Sequence, residues 1–156
     1  MQTSHAAVEK KPILPPTYLL LAIVTMAVLN VIAPWRHLLV FPWTLVGVVP
    51  LVLGIALNLV ADSQLKKHAT TVKPFEKSSS LVTTGAYRIC RHPMYLGFAL
   101  ILVGLAMLMG TATPFVVIPA FVALIETTFV RVEERMMAAT FGESWRSYAG
   151  RVGRWI

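Results

Sequence analysis

The chain has 156 residues, of which 56% are hydrophobic and only 13% charged, and its formal net charge is +7. That composition excludes an ordinary soluble domain and places the chain among integral membrane proteins. A lone cysteine, Cys90, excludes an internal disulfide and a cysteine-type metal site; His5, His37, His68 and His92 show no ligand spacing, so no metal is expected.

Residues 1–12 read as a flexible arm. Pro12, Pro15 and Pro16 interrupt this region and no small-residue cleavage site follows, so the first apolar run is expected to be a retained helix and not a cleaved signal. Apolar runs predict helices over 17–33, 42–61, 94–112 and 114–137. At a rise of ~1.5 Å per residue each reaches across a hydrocarbon core of ~30 Å, the first and fourth only just. The expected fold is all-α: a single-domain polytopic bundle of about four transmembrane helices, with a cytoplasmic loop and a C-terminal amphipathic tail.

In the second run Gly47, Pro50, Gly54, Asn58 and Ala61 recur at helical spacing, and Gly97 and Gly104 do so in the third. Small faces of this kind let two membrane helices approach closely. Of the 14 lysines and arginines, Arg36 alone falls outside three places: before the first run, between the second and third, and beyond Val130, where the fourth run fades. The bias predicts that both termini and the 62–92 loop are cytoplasmic, in a bacterial inner (plasma) membrane. The positive charge then reflects topology and contact with membrane lipids; it flanks apolar spans and forms no basic domain, so no nucleic acid partner is expected. Phe75, Leu81, Val82 and Tyr87 are too apolar for a solvated linker, and the loop is expected to fold back over a site.

That loop ends in the densest cluster of functional side chains: Tyr87, Arg88, Arg91, His92 and Tyr95, between Gly85 and Gly97. Pro93 suits the first position of a helix, where its missing N–H has no partner to lose. Arg88, Arg91 and His92 then lie beside a helix N-terminus, an arrangement that attracts anions. Cys90, although flanked by arginines, reads as a small packing residue.

The fourth helix turns polar at Glu126, followed by Arg131, Glu133, Glu134 and Arg135. A carboxylate at the depth of Glu126 requires a partner or a polar cavity, and Arg88 or Arg91 is the expected partner. Glu133 and Glu134, facing a cationic loop, form the other half of a binding site. Gly142 is expected to end the helix, and Trp145, Tyr148 and Trp155 to anchor the tail at the membrane interface.

Taken together, Gly85-x-Tyr87-Arg88-x-x-Arg91-His92-Pro93-x-Tyr95-x-Gly97, Glu133-Glu134, Phe141-Gly142-x-x-Trp145-x-x-Tyr148 and Arg154 resemble the isoprenylcysteine carboxyl methyltransferase and phospholipid methyltransferase superfamily of integral membrane enzymes. Ala86 stands where that superfamily often has proline, and Trp145 where it often has tyrosine. The resemblance implies methyl transfer from S-adenosyl-L-methionine to a lipophilic small-molecule or lipidated acceptor. The acceptor group would be a prenylcysteine-type carboxylate or similar, or alternatively the amine of a phospholipid. The cofactor would be held by Tyr87, Arg88, Arg91, His92, Pro93, Tyr95, Leu96, Glu133 and Glu134. Arg91 and His92 suit its carboxylate, Glu133 or Glu134 its ammonium and ribose hydroxyls, and Tyr87, Tyr95, Leu96 and Leu81 its adenine. Acceptor handling falls to Arg131, Arg146 or Arg154 for a carboxylate and to Glu126 or Glu133 as base for an amine. The absence of Gly-x-Gly-x-x-Gly argues against a soluble Rossmann-type methyltransferase. Competing readings are an NADPH-dependent membrane reductase and a non-catalytic membrane subunit.

Overall fold

A computed structural model describes residues 14–68 and 80–156. The arm expected over 1–12 and the loop residues Lys73, Phe75 and Lys77 lie outside the described residues. Every regular element among the described residues is helical. Helix α1 is Pro15–Ile32, α2 is Val48–Lys67 and α3 is Pro93–Met109; α4, Val117–Ile125, runs through a π turn, Glu126–Val130, into α5, Arg131–Ala149.

Helix ends depart from the hydropathy boundaries for local reasons. α1 starts before the apolar run because Pro15 and Pro16 fit a first turn that requires no N–H donors. α2 continues past Ala61 through Asp62 and Lys66, which pair one turn apart at 2.5 Å. Its last turn carries Lys66 and Lys67, the sign of charge that a helix C-terminus favours. Hydropathy thus marks where α2 leaves the apolar layer, and the helix itself ends further on. α3 stops at Gly110, whose φ of 76° closes the last turn in the left-handed conformation.

Among the described residues three helical stretches, Pro15–Ile32, Trp43–Lys67 and Thr113–Ala149, are long and apolar enough to cross a membrane, and α3 is a shorter apolar helix. Leu20, Val24, Val28, Leu53 and Leu59 point outward, as expected of an integral membrane protein whose outer surface meets lipid. Inside, Met26, Tyr95, Phe98, Leu102, Phe121, Ile125, Phe129 and Val130 form one core shared by α1, α3 and the long α4–α5 helix.

The predicted small-residue faces of α2 and α3 meet. A methyl group on Gly54 would lie 2.5 Å from the Gly97 carbonyl oxygen, and one on Gly47 would lie 2.5 Å from that of Gly104. Backbones this close carry the polar start of α3 to the end of α2. At the opposite end, Thr111 donates to Asn30 at 2.5 Å, Thr113 donates to the Ala33 carbonyl at 2.6 Å, and the Ala112 N–H reaches the Trp35 carbonyl at 3.0 Å. These bonds fasten the α1–α2 connection to the α3–α4 turn. The polar site described next lies at the other end, where α1 and α3 begin, α2 ends and the π turn leads into α5.

Candidate functional site: an ionised cluster at the mouth of the bundle

The site is built outward from Gly85. Its φ of 59° suits glycine, and any side chain there would strike the Gln64 amide on α2. That same amide oxygen accepts the Ala86 N–H at 3.0 Å, docking the loop on the end of α2. A short turn, Gly85–Arg88, follows, and the Tyr87 carbonyl accepts the Tyr148 hydroxyl at 2.6 Å. The chain then delivers Arg91 and His92 directly ahead of Pro93, the first residue of α3.

His92 is buried, with Nδ1 3.5 Å from Glu133 and Nε2 3.4 Å from Glu134. Only the doubly protonated ring donates from both nitrogens, so two carboxylates facing one ring favour the imidazolium. Burial works against that charge, but the bonds to Glu133 and Glu134 outweigh it and raise the His92 pKa. One turn along, the Tyr95 hydroxyl donates to the other oxygen of Glu133 at 2.5 Å, and its ring stacks on His92 with centroids 5.8 Å apart.

Arg91 donates its backbone N–H to the Gly153 carbonyl at 2.9 Å and holds its guanidinium 5.7 Å from the Trp145 ring centroid. One terminal nitrogen lies 3.4 Å from Glu134, while the buried Nε has no hydrogen-bond partner among the described residues. Arg154 binds Glu134 through Nε at 3.0 Å and Nη2 at 2.5 Å, and Glu126 through Nη1 at 2.7 Å. Trp155 Nε1 donates to the second Glu126 oxygen at 3.2 Å, and Arg131 Nε lies 3.5 Å from the first.

The π turn explains why these carboxylates divide as they do. Sequence spacing puts Glu126, Glu133 and Glu134 on one helical face. The wider turn at Glu126–Val130 slows the helix rotation. Glu126 consequently converges with Glu134 on Arg154, while Glu133 faces Tyr95 and His92. The neutralising partners of Glu126 are therefore Arg154 and Arg131, in place of the expected Arg88 or Arg91.

The other candidates fall as follows. Pro93 and Leu96 form the first turn of α3, beside the cluster. Tyr87 borders it; burial, reinforced by the Glu133 charge, pushes its phenol pKa up and keeps it neutral. Arg88 is exposed and Arg146, 76% exposed, pairs only with Glu143 at 3.5 Å among the described residues. Burial also pushes the Cys90 thiol up, in keeping with a packing role.

Sequence reasoning missed several contributors. Gly142, at φ 52° and ψ −118°, breaks the long helix as expected, but a further helical stretch runs on from it to Ala149. The kink turns Trp145 and Tyr148 inward, 8% and 3% exposed, against Arg91 and the Tyr87 carbonyl, so they do not sit as interface anchors. Trp155 binds Glu126, Gln64 seats the loop and Gly153 holds Arg91. Their signal was faint: a glutamine at a helix end and tryptophans beside arginines suit many roles.

An apolar helical bundle with a cluster of charged side chains sunk into one end defines an integral membrane protein. The sequence profile of the phospholipid methyltransferase family matches residues 42–144, and the chain belongs to that family. Its fold is similar to that of the eukaryotic intramembrane Ras methyltransferase, isoprenylcysteine carboxyl methyltransferase, solved without a monobody. That match has a TM-score of 0.70 and 25% identity over 90% of this chain and 52% of the other. Two bacterial relatives are each 35% identical: the cobalt-zinc-cadmium resistance protein CzcN of Cupriavidus metallidurans over 75 residues, and the nickel-cobalt-cadmium resistance protein NccN of Alcaligenes xylosoxydans xylosoxydans over 67. The matched segments are 48% and 43% of this chain but only 34% and 32% of those relatives.

Proposed function

We propose that the protein transfers the methyl group of S-adenosyl-L-methionine to a lipophilic or lipidated acceptor at the cytoplasmic face of the membrane. The observation that carries this reading is the mixed sign of the cluster, with carboxylates and cations interleaved and one buried Arg91 donor that has no partner among the described residues. A set of salt bridges serving only to tie helices together has no use for an orphaned donor. A zwitterionic ligand uses both signs, and this donor set fits one.

Arg91 and His92 would hold the cofactor carboxylate, and Glu133 and Glu134 its ammonium and ribose hydroxyls. Tyr87, Tyr95 and Leu96 would flank the adenine, with Arg88 at the outer rim and Pro93 fixing the turn that presents them. When bound, the cofactor supplies an electrophilic methyl group on a sulfonium centre. The contribution of the protein is alignment: side chains locked by one another's hydrogen bonds hold two reactants in line and exclude water. Arg131, 62% exposed and only loosely engaged by Glu126, is the arginine best placed to position an acceptor carboxylate such as that of a prenylcysteine. The family match favours a second acceptor, the amine of a phospholipid, whose proton would pass to Glu133.

Membranes carrying the protein, incubated with methyl-tritiated cofactor, should place label in the organic-extractable fraction, and control membranes should not. Alkali releases a methyl ester as volatile methanol and leaves an N-methyl group in place, which separates the two acceptors. Label in neither form would overturn the reading.

A further inference from the structure

The carboxylate of Glu126 takes two successive residues of the segment that follows α5. Its Oε1 accepts Arg154 Nη1 at 2.7 Å, and its Oε2 accepts Trp155 Nε1 at 3.2 Å. The other donors of Arg154 go to Glu134, and the Trp155 ring packs against the shared core. Upstream, the same segment is fixed by the Arg91 N–H on the Gly153 carbonyl and by the Tyr148 hydroxyl on the Tyr87 carbonyl. The chain from Tyr148 to Trp155 therefore crosses the Gly85–His92 loop; at its far end Glu134 holds Arg154, and one side chain, that of Glu126, holds both Arg154 and Trp155. That side chain is the first residue of the π turn, which swings it into line with Glu134.

We propose that Glu126 is a positioning residue: it clasps residues 150–156 across the site and, through Arg154, holds Glu134 in place. An ionised carboxylate at the margin of an apolar helix is costly, and its partners here are both donors from this segment together with the loosely placed Arg131. Releasing the clasp frees Trp155 and leaves Arg154 anchored on Glu134 alone. A wall of the pocket then opens, and bound ligand leaves faster. The clasp rests on geometry alone; its effect on ligand rests on the methyl-donor reading above.

The test uses the full chain in lipid nanodiscs and compares the native protein with Glu126→Gln and Trp155→Phe. The first keeps the size of the side chain but loses its charge and one acceptor; the second removes the indole N–H along with part of the ring that packs on the core. Hydrogen exchange in 150–156 should quicken by about tenfold in both, the scale of one lost charge-assisted bond, while exchange within α3 stays unchanged. Dissociation of S-adenosylhomocysteine should quicken by a similar factor. Unchanged exchange in 150–156 in both variants would overturn the clasp; should Glu126→Gln not fold, Trp155→Phe decides alone. Faster exchange with unchanged dissociation would overturn the positioning role. If the native protein binds no S-adenosylhomocysteine, the methyl-donor reading and the positioning role that rests on it both fail, while the exchange measurement still decides the clasp.

Discussion

The Tyr95 hydroxyl donates to Glu133 Oε1 at 2.5 Å, joining the first turn of α3 to the first turn of α5 through a carboxylate that His92 also contacts. Tyr95 meanwhile keeps its ring in the core, with Phe98 and Phe129 each 6.3 Å away between centroids. One side chain thus belongs to the packed interior and to the ionised cluster. Tyr95→Phe should preserve the packing and remove only the bond. A hydrogen bond to a charged group contributes about 2 kcal/mol, so S-adenosylhomocysteine should bind at least tenfold more weakly, by calorimetry. The bundle should still fold, with a modest loss of melting temperature.

The His92 pKa is raised because its bonds to Glu133 and Glu134 outweigh burial. A group whose pKa is higher folded than unfolded stabilises the fold fully below its unfolded value of about 6.5, and loses that contribution as pH rises through the folded value. The melting temperature in detergent should therefore fall as pH is raised from about 6 through the folded pKa of His92. His92→Gln should flatten this dependence. A native protein whose stability is independent of pH over that interval would contradict the imidazolium.

Much of the scaffold was legible in the sequence because its causes are local. Apolar runs mark membrane helices, Pro93 and Gly110 bracket α3, and the small residues of α2 and α3 reveal where backbones meet. The loop motif and the Glu133–Glu134 pair were legible as two halves of one polar cluster because charge is so rare beside apolar spans. Their pairing was not. Arg154 reaches Glu134 only because α5 kinks at Gly142, and Glu126 aligns with Glu134 only because a π turn changes the helical phase. Neither event has a hydropathy signature, and several arginines were equally available on the same membrane side.

The close approach of α2 and α3 makes a sharp contrast between two glycines. Gly54→Ala drives a methyl group against the Gly97 carbonyl, 2.5 Å away, and backbone cannot yield as a side chain does. Overpacking of this kind costs about 1–3 kcal/mol, so the melting temperature should drop by several degrees or the protein should fail to accumulate. Gly142→Ala meets open space, so its cost of about 1–3 kcal/mol comes from backbone strain alone, at a φ of 52° and ψ of −118° that only glycine adopts readily. Thermal denaturation should show both variants melting several degrees lower, one through packing and the other through strain.

Two arginines of the same segment should differ in effect. Arg146 is exposed and pairs only with exposed Glu143 among the described residues, a class of surface pair that contributes little. Arg146→Ala should leave ligand affinity within about a factor of two. Arg154→Lys keeps the charge but loses the fork that spans Glu126 and Glu134, and ligand affinity should fall by about tenfold or more. Equal behaviour of the two variants would contradict the network.

The most direct test of the account is equilibrium binding of tritiated S-adenosyl-L-methionine to the protein in nanodiscs, beside Glu133→Gln and an NADPH control. The account predicts saturable binding by the native protein, displacement by S-adenosylhomocysteine, and affinity at least about tenfold weaker in Glu133→Gln. No saturable binding, binding of NADPH in its place, or unchanged affinity in the variant would contradict it.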